Sequence, residues 1–145
     1  MKSVIFVCLG NICRSPLAEG VAKDMLKRMN LDNIKIESAG LSKYHNSEQP
    51  CIISQELAKK NGIDISNYKS THISEFNLEK FDLIVALDES NKKELLKLGY
   101  KKVKKLGEFG FNGKDVADLY YYPHKEDEVW NMITIGVKNI LEELK

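Results

Sequence analysis

Two cysteines, an arginine and a serine stand close together in "VCLGNICRSP", residues 7–16 of this chain. A pair of cysteines five residues apart is compatible with a structural disulfide, a metal site, a redox switch or a nucleophile beneath a bound phosphate. Each of these needs different surroundings. The residues between and around the two cysteines must therefore decide which chemistry the stretch supports.

The spacing of Cys8 and Arg14 favours an anion site. Five residues lie between them, so the six successive N–H groups of residues 9–14 can curl around one anion. A helix beginning there adds its positive end. Gly10 permits a tight curl and Asn11 tolerates a left-handed backbone. The Arg14 guanidinium forms a planar fork for two phosphoryl oxygens, so the stretch predicts a phosphate-binding loop.

Cys8 would lie at the base of this loop. A helix N-terminus and a nearby arginine favour the thiolate over the thiol, and the Ser15 hydroxyl can donate to it. A thiolate beneath a bound phosphate is placed to attack phosphorus. The alternative is a chance Cys-x5-Arg pattern around a buried cysteine. The buried strand before it and the Ser-Pro helix start after it favour the nucleophile.

A second segment, "DVADLYYYP" (115–123), supplies acids beside aromatic residues. Release of a phenolate needs a proton donor, and Asp115 or Asp118 could provide it. The tyrosines that follow suit an aryl phosphate. The alternative is a tyrosine-rich loop that packs on the core.

Strand and helix patterns alternate along the chain. Strands are predicted at 3–7, 34–40, 80–88 and 101–107, and helices at 51–62, 89–99 and 128–145. Another helix begins with Ser15 as N-cap and Pro16 as its first residue. This alternation predicts one α/β domain over residues 1–145: a three-layer sandwich whose four-stranded parallel sheet has helices on both faces. Ligands bind at the carboxyl ends of such strands, where the loop after the first strand lies.

The composition narrows the class further. A net charge of +1 over 145 residues produces no overall positive field that would attract nucleic acid or an anionic membrane. Lys101, Lys102, Lys104 and Lys105 are expected on a solvated face. Three cysteines form no disulfide framework and lack zinc spacing. The N-terminus is typical of a buried strand and has no signal-peptide pattern. We expect a monomeric, cytoplasmic protein without metal or cofactor.

The chain resembles the low-molecular-weight protein tyrosine phosphatases over almost its whole length. "VCLGNICRSP" matches the family's signature loop at almost every position, and "SAG", "GIDIS", "FDLIVALDESN" and "DVADLYYYP" follow in the family's order. The resemblance implies hydrolysis of phosphotyrosine in protein substrates through a phosphocysteine.

The resemblance also implies roles for individual residues. Cys8 would be the nucleophile, Arg14 the phosphate ligand and Asp118 the general acid, with Asp88 supporting the site. The substrate-binding set would comprise Leu9, Gly10, Asn11, Ile12, Cys13, Ser15, Tyr44 and Tyr120. Asn11 and Ser15 would hold the loop and thiolate, Tyr44 and Tyr120 would wall the cleft, and Leu9 and Ile12 would lie at its rim.

Three positions depart from the family pattern. Leu119 stands where the family has proline after the acid, which predicts a more mobile acid loop. Tyr68 and Thr71 stand where His and Arg are frequent, so support of Asn11 and Ser15 is expected to differ. The segment "HNSEQP" (45–50) lacks a usual glycine, which bears on the shape of the cleft.

Three alternative functions stay open. A thioredoxin-coupled arsenate reductase shares this loop but needs two further cysteines, and only Cys51 lies outside the loop. Protein-arginine phosphatases carry threonine where Ile12 stands. A phosphate-binding module with feeble turnover would also fit the departures.

Cys13 is not needed for attack. Because the loop curls, we expect Cys8 and Cys13 to come within disulfide reach, with Cα atoms under about 7 Å apart. Cys13 would then trap peroxide-oxidised Cys8 as a reversible disulfide.

Overall fold

A sheet of four parallel strands forms the centre of the molecule in the computed structural model, which describes residues 2–145. The spatial order is β2-β1-β3-β4. The strands are β1 (Lys2–Cys8), β2 (Ile34–Gly40), β3 (Leu83–Ala86) and β4 (Val103–Lys105). Register pairs Cys8 with Gly40 and Val7 with Ala86, so the ends of three strands meet at one edge.

Helices cover both faces of this sheet. They are α1 (Arg14–Arg28), α2 (Ile52–Lys60), α3 (Glu89–Lys97) and α4 (Glu126–Leu144). Val4 and Phe6 face a core cluster that contains residues of α1, α2 and α4, whereas Ile5 and Val7 face one that contains residues of α3. A strand buried on both faces explains the uninterrupted apolar run in β1. The predicted α/β fold is confirmed.

The start of α1 bears on function. We expected α1 to start at Ser15 as N-cap, and this is wrong: the helix begins at Arg14 and its N-cap residue is Cys13. The Ser15 side chain is instead hydrogen-bonded within the loop before the helix. Pro16 fits in the first turn because its missing N–H would have no helical acceptor there.

The lysine run after α3 is also less exposed than predicted. Lys105 is buried, and its Nζ lies 3.1 Å from Glu89 Oε1 and 3.0 Å from Asp115 Oδ1. The reason is strand alternation, because Val103 and Lys105 both point inward from β4 while Lys104 points outward.

The strand order places a crevice at the end of β1. The helix after β1 packs on one face and the helix after β3 on the other, so the connections diverge between these neighbours. Open α/β sheets bind ligands at such a divergence. Within residues 2–145, no helix combines the length and apolar composition needed to cross a bilayer.

Candidate active site

The segment Cys8–Ser15, called here the phosphate loop, turns back over its first residue. Asn11 adopts a left-handed backbone (φ 56°), and its N–H donates to Cys8 Sγ at 3.2 Å. Ser15 Oγ lies 3.0 Å from the same sulfur. The positive φ therefore falls on Asn11, whereas Gly10 is needed for space, because a Cβ there would lie 3.1 Å from the His45 ring.

The Asn11 side chain ties the loop to the sheet. Its Oδ1 accepts the Thr71 N–H at 2.9 Å, which fixes the orientation of the amide. Its Nδ2 donates to Ser15 Oγ at 2.7 Å and to Ser38 Oγ at 3.0 Å. Because Ser15 Oγ accepts from Asn11, the Ser15 proton is free to point at Cys8 Sγ. The geometry thus presents two donors to the nucleophile.

A buried carboxylate lies at the far end of this network. Ser38 Oγ donates to Glu19 Oε1, and Lys23 Nζ lies 2.6 Å from Glu19 Oε2. Burial alone would lower the pKa of Lys23, but the hydrogen bond and charge of Glu19 raise it above its ordinary value. The Tyr68 ring centroid lies 5.2 Å from Lys23 Nζ. Lys23 therefore supplies the positive charge that balances Glu19, and it lies over the ring of Tyr68. Thr71 supports Asn11 through its backbone N–H and not through its side chain.

Arg14 is buried and held from two other segments. Its Nη1 donates to Asp88 Oδ2 at 2.7 Å and to the Val116 carbonyl at 3.0 Å, and Nη2 lies 3.4 Å from Asp118 Oδ2. Burial would lower the pKa of Arg14, but the charges of Cys8 and Asp118 and the bond with Asp88 raise it. Among residues 2–145, Nε of Arg14 has no hydrogen-bond partner.

Asp118 faces the phosphate loop from a braced turn. Its Oδ1 accepts the Tyr120 N–H at 3.1 Å, and its carbonyl accepts the N–H groups of Tyr121 and Tyr122. The Leu119 side chain is fully buried, so it anchors the turn in the core where the family has a proline. The Asp115 side chain forms hydrogen bonds with other segments, since its Oδ1 accepts from the Glu89 N–H and from Lys105 Nζ.

The phosphate loop and Asp118 border one open cleft of about 490 Å³. Asn11 and Ser15 lie beneath its floor. The residues that line it are Cys8, Leu9, Gly10, Ile12, Cys13, Arg14, Ser42, Tyr44, His45, Asp118, Tyr120 and Tyr121. Tyr44 and Tyr120 are strongly exposed, and the ring of His45 lies between them, 4.7 Å and 5.9 Å from their centroids.

Three residues that line this cleft, Gly10, Ile12 and Cys13, have backbone N–H groups without internal hydrogen bonds in the described part of the chain. Successive amides of this kind can bind an anion, because an unpaired N–H that is shielded from water is costly.

The structure corrects our expectation about the cysteines. Cys13 is disulfide-bonded to Cys51, with Cα atoms 5.3 Å apart, and Cys8 is free. The absence of a disulfide was wrongly predicted, and the pairing that is present is not Cys8–Cys13. The Cys51 N–H donates to the Ile12 carbonyl at 2.6 Å, which brings residue 51 against the back of the loop.

Several contributors were missed by sequence reasoning. Ser38, Glu19, Lys23, Ser42 and His45 each touch the loop, its network or the cleft. Two of them have a positional signal, because Ser38 lies near the end of β2 beside β1 and His45 follows Tyr44. Ser38 and His45 lie in segments that the resemblance singled out, "SAG" and "HNSEQP", but only the packing of separate segments shows what their side chains contact.

A free cysteine and an arginine, joined by the loop that follows β1, form a Cys-x5-Arg arrangement on a doubly wound fold. The profile of the family described as "Low molecular weight phosphotyrosine protein phosphatase" matches residues 3–145. The chain belongs to this family, as the resemblance predicted.

Individual relatives agree in sequence and structure. Low molecular weight protein-tyrosine-phosphatase YfkJ of Bacillus subtilis is 35% identical over 152 residues, covering 100% of this chain and 97% of YfkJ. Its crystal structure aligns with a TM-score of 0.90 at 34% identity, over 99% of this chain and 94% of that one. The human low molecular weight phosphotyrosine protein phosphatase is 34% identical, covering 87% and 84% of the two chains.

A further solved structure bears on specificity. The crystal structure of DARP, drosophila arginine phosphatase, aligns with a TM-score of 0.88 at 29% identity, over 100% of this chain and 98% of that one. The fold is therefore similar to that of a protein named for a different phosphoamino acid.

Proposed function

We propose that this protein hydrolyses phosphotyrosine in protein substrates, and small aryl phosphates, through a phosphocysteine on Cys8. The observation that carries the proposal is the convergence of three groups. Cys8 Sγ accepts a hydrogen bond from the Asn11 N–H and lies 3.0 Å from Ser15 Oγ. Arg14 lines the same cleft as Cys8, and the Asp118 carboxylate lies 3.4 Å from the Arg14 guanidinium. Each group has one role in phosphoryl transfer.

In the first step the Cys8 thiolate attacks phosphorus as the bond from phosphorus to the phenolic oxygen breaks. Arg14 and the loop amides stabilise the charge on the transferring oxygens. Asp118 donates its proton to the leaving phenolate.

In the second step water attacks the phosphorus of the phosphocysteine. Asp118, now a carboxylate, takes a proton from that water, and the bond from phosphorus to Cys8 Sγ breaks. Inorganic phosphate leaves and the thiolate is restored, held by the Asn11 N–H and the Ser15 hydroxyl.

The walls of the cleft support an aromatic substrate. Tyr44, His45 and Tyr120 form a row of rings above the loop, and Leu9 and Ile12 add apolar surface. A flat ring can stack there, whereas an alkyl phosphate would leave these faces bare. Monomeric state and cytoplasmic location stay predictions.

The test is steady-state hydrolysis of p-nitrophenyl phosphate and of a phosphotyrosine peptide. The wild type should turn over both, and Cys8→Ser should lose turnover by about 10³-fold or more while retaining the fold by circular dichroism. Binding of phosphate without turnover by the wild type would favour a phosphate-binding module instead.

The arginine phosphatase alternative is tested in the same assay. Ile12 offers no hydroxyl to orient attack on a phosphoguanidine, and its side chain lines the cleft. We expect phosphotyrosine peptide to be preferred over phosphoarginine peptide. The reverse preference would contradict the proposed substrate class.

A further inference from the structure

We propose that Cys51 is the terminal thiol of a three-cysteine exchange chain, which returns oxidised Cys8 to its thiolate and stores the oxidation as the Cys13–Cys51 disulfide. The inference rests on the proposed function, since Cys8 is the nucleophile that needs protection. It assigns Cys51 a role that phosphate transfer does not require.

The three sulfurs are arranged from the cleft outward. Cys8 and Cys13 are both buried and line the same cleft, whereas Cys51 is partly exposed. Cys13 is bonded to Cys51, and Cys8 is left free in the same molecule. Cys13 therefore shares the cleft with Cys8 and the disulfide with Cys51.

Cys51 is held beside the loop by contacts that do not involve sulfur. Its N–H donates to the Ile12 carbonyl, and Ser54 Oγ donates to the Cys13 carbonyl at 2.9 Å. These bonds join the start of α2 to the back of the phosphate loop. Cys51 is also the N-cap residue of α2, where the helix dipole favours a thiolate. Reduction of the disulfide would thus leave Cys51 near Cys13.

The exchange balances in three steps. A hydroperoxide transfers oxygen to the Cys8 thiolate, breaking its O–O bond and leaving a sulfenic acid and an alcohol or water. The Cys13 thiol attacks Cys8 Sγ, and water departs as the disulfide forms. The Cys51 thiolate then attacks Cys13 Sγ and the Cys8 thiolate leaves, with no net change in oxidation state. An external dithiol later reduces Cys13–Cys51.

The direction of the last step follows from the loop. Cys8 leaves as a thiolate into a site where the Asn11 N–H, Ser15 and Arg14 stabilise negative charge. Exchange favours departure of the better-stabilised thiolate. The disulfide therefore moves outward to Cys13–Cys51, where the structure has it, and the nucleophile is freed.

The experiment begins with fully reduced, desalted protein given one equivalent of hydrogen peroxide without reductant. Activity toward p-nitrophenyl phosphate is followed with time, and free thiols are alkylated for mass spectrometry. Wild-type activity should fall and then return unaided, with the disulfide mapped to Cys13–Cys51. Cys51→Ser should start at wild-type activity, fall about tenfold and stay low until dithiothreitol is added, with a Cys8–Cys13 link.

Two controls sharpen this test. Ile52→Ser alters the next, exposed position of α2 without touching a thiol, so it should recover like wild type. Protein that already carries Cys13–Cys51 has no thiol left to resolve Cys8, so an excess of peroxide should carry Cys8 beyond the sulfenic acid to a sulfinic acid, which dithiothreitol does not reduce.

Unaided recovery in Cys51→Ser, a Cys8–Cys51 link, or a wild type that stops at Cys8–Cys13 would each overturn the proposal. The mass-spectrometric assignment of disulfides does not depend on catalytic turnover. If reduced wild type fails to hydrolyse the aryl phosphate, the proposed function fails, and the exchange chain is still judged by which cysteines are joined.

Discussion

Two aspartates three residues apart have different surroundings, and this difference supports the proposed role of Asp118 as general acid. Asp118 lines the cleft and lies 3.4 Å from Arg14 Nη2. Asp115 instead accepts from the Glu89 N–H and from Lys105, outside the cleft. A proton donor must reach the leaving oxygen, so of these two aspartates our proposal gives the role to Asp118.

We therefore expect Asp118→Asn to lower turnover of phosphotyrosine by about 10²–10⁴-fold, the usual contribution of a positioned acid. The loss should shrink for aryl phosphates whose leaving groups need no proton. Asp115→Asn is the matched control and should retain most turnover. Steady-state kcat for the two variants checks this, and equal losses would contradict the assignment.

At the scale of elements, the end of β2 positions the phosphate loop. Ser38 and Gly40 lie opposite Phe6 and Cys8 in the register. A Cβ at Gly40 would lie 3.0–3.1 Å from Gly10 and Asn11, so the strand and loop are in close contact. Ser38 accepts from Asn11 and donates to Glu19, which places a sheet residue between the loop and a buried carboxylate.

Ser38→Ala should therefore weaken both structure and catalysis. It leaves Glu19 and Asn11 each without one partner, at a cost of about 1–3 kcal/mol for a buried polar group. We expect a lower Tm, and a kcat loss that is larger than any change in KM because the donor to Cys8 is no longer oriented. Thermal unfolding and steady-state kinetics of the variant check both effects.

Thr71→Val is the control for this prediction. The Thr71 contact with Asn11 comes from the backbone N–H, while its Oγ1 donates to the Lys69 carbonyl. Replacing the side chain should therefore spare kcat. A kcat loss in Thr71→Val as large as in Ser38→Ala would show that the Asn11 network does not act through Ser38.

At the scale of the whole molecule, charged side chains join the outer strand to its neighbours. Glu108 Oε2 accepts the Lys105 N–H at 2.6 Å and lies 2.9 Å from Lys92 Nζ. Burial would raise the pKa of Glu108, but these two partners lower it below its ordinary value of 4.5. The folded state therefore holds this carboxyl ionised more strongly than the unfolded chain does.

A depressed pKa contributes stability above the unfolded value, and that stability is lost as pH falls through the folded value. Glu108→Gln should lower Tm at pH 7 by about 2–4 °C, as expected for a loss near 1 kcal/mol. The difference between variant and wild type should narrow below pH 4.5. Thermal unfolding from pH 7 to pH 3 checks this, and a difference independent of pH would contradict the role of the charge.

Much of the molecule follows from short-range patterns in the chain. Cys8 and Arg14 are separated by a fixed number of residues after an apolar strand, so their common loop is determined locally. The alternation of strands and helices likewise indicates a parallel α/β sheet, because crossover helices are what parallel strands require. Membership of the family and the α/β fold could be predicted for these reasons.

Tertiary structure alone decided how distant segments meet. Cys13 and Cys51 are 38 residues apart, and Glu19 reaches Asn11 only through Ser38. Which partner a side chain obtains depends on strand register and helix packing, and these are set by the whole core. The chain by itself determined the reactive loop and its class, whereas the packed fold decided which neighbours hold that loop and which thiol Cys13 joins.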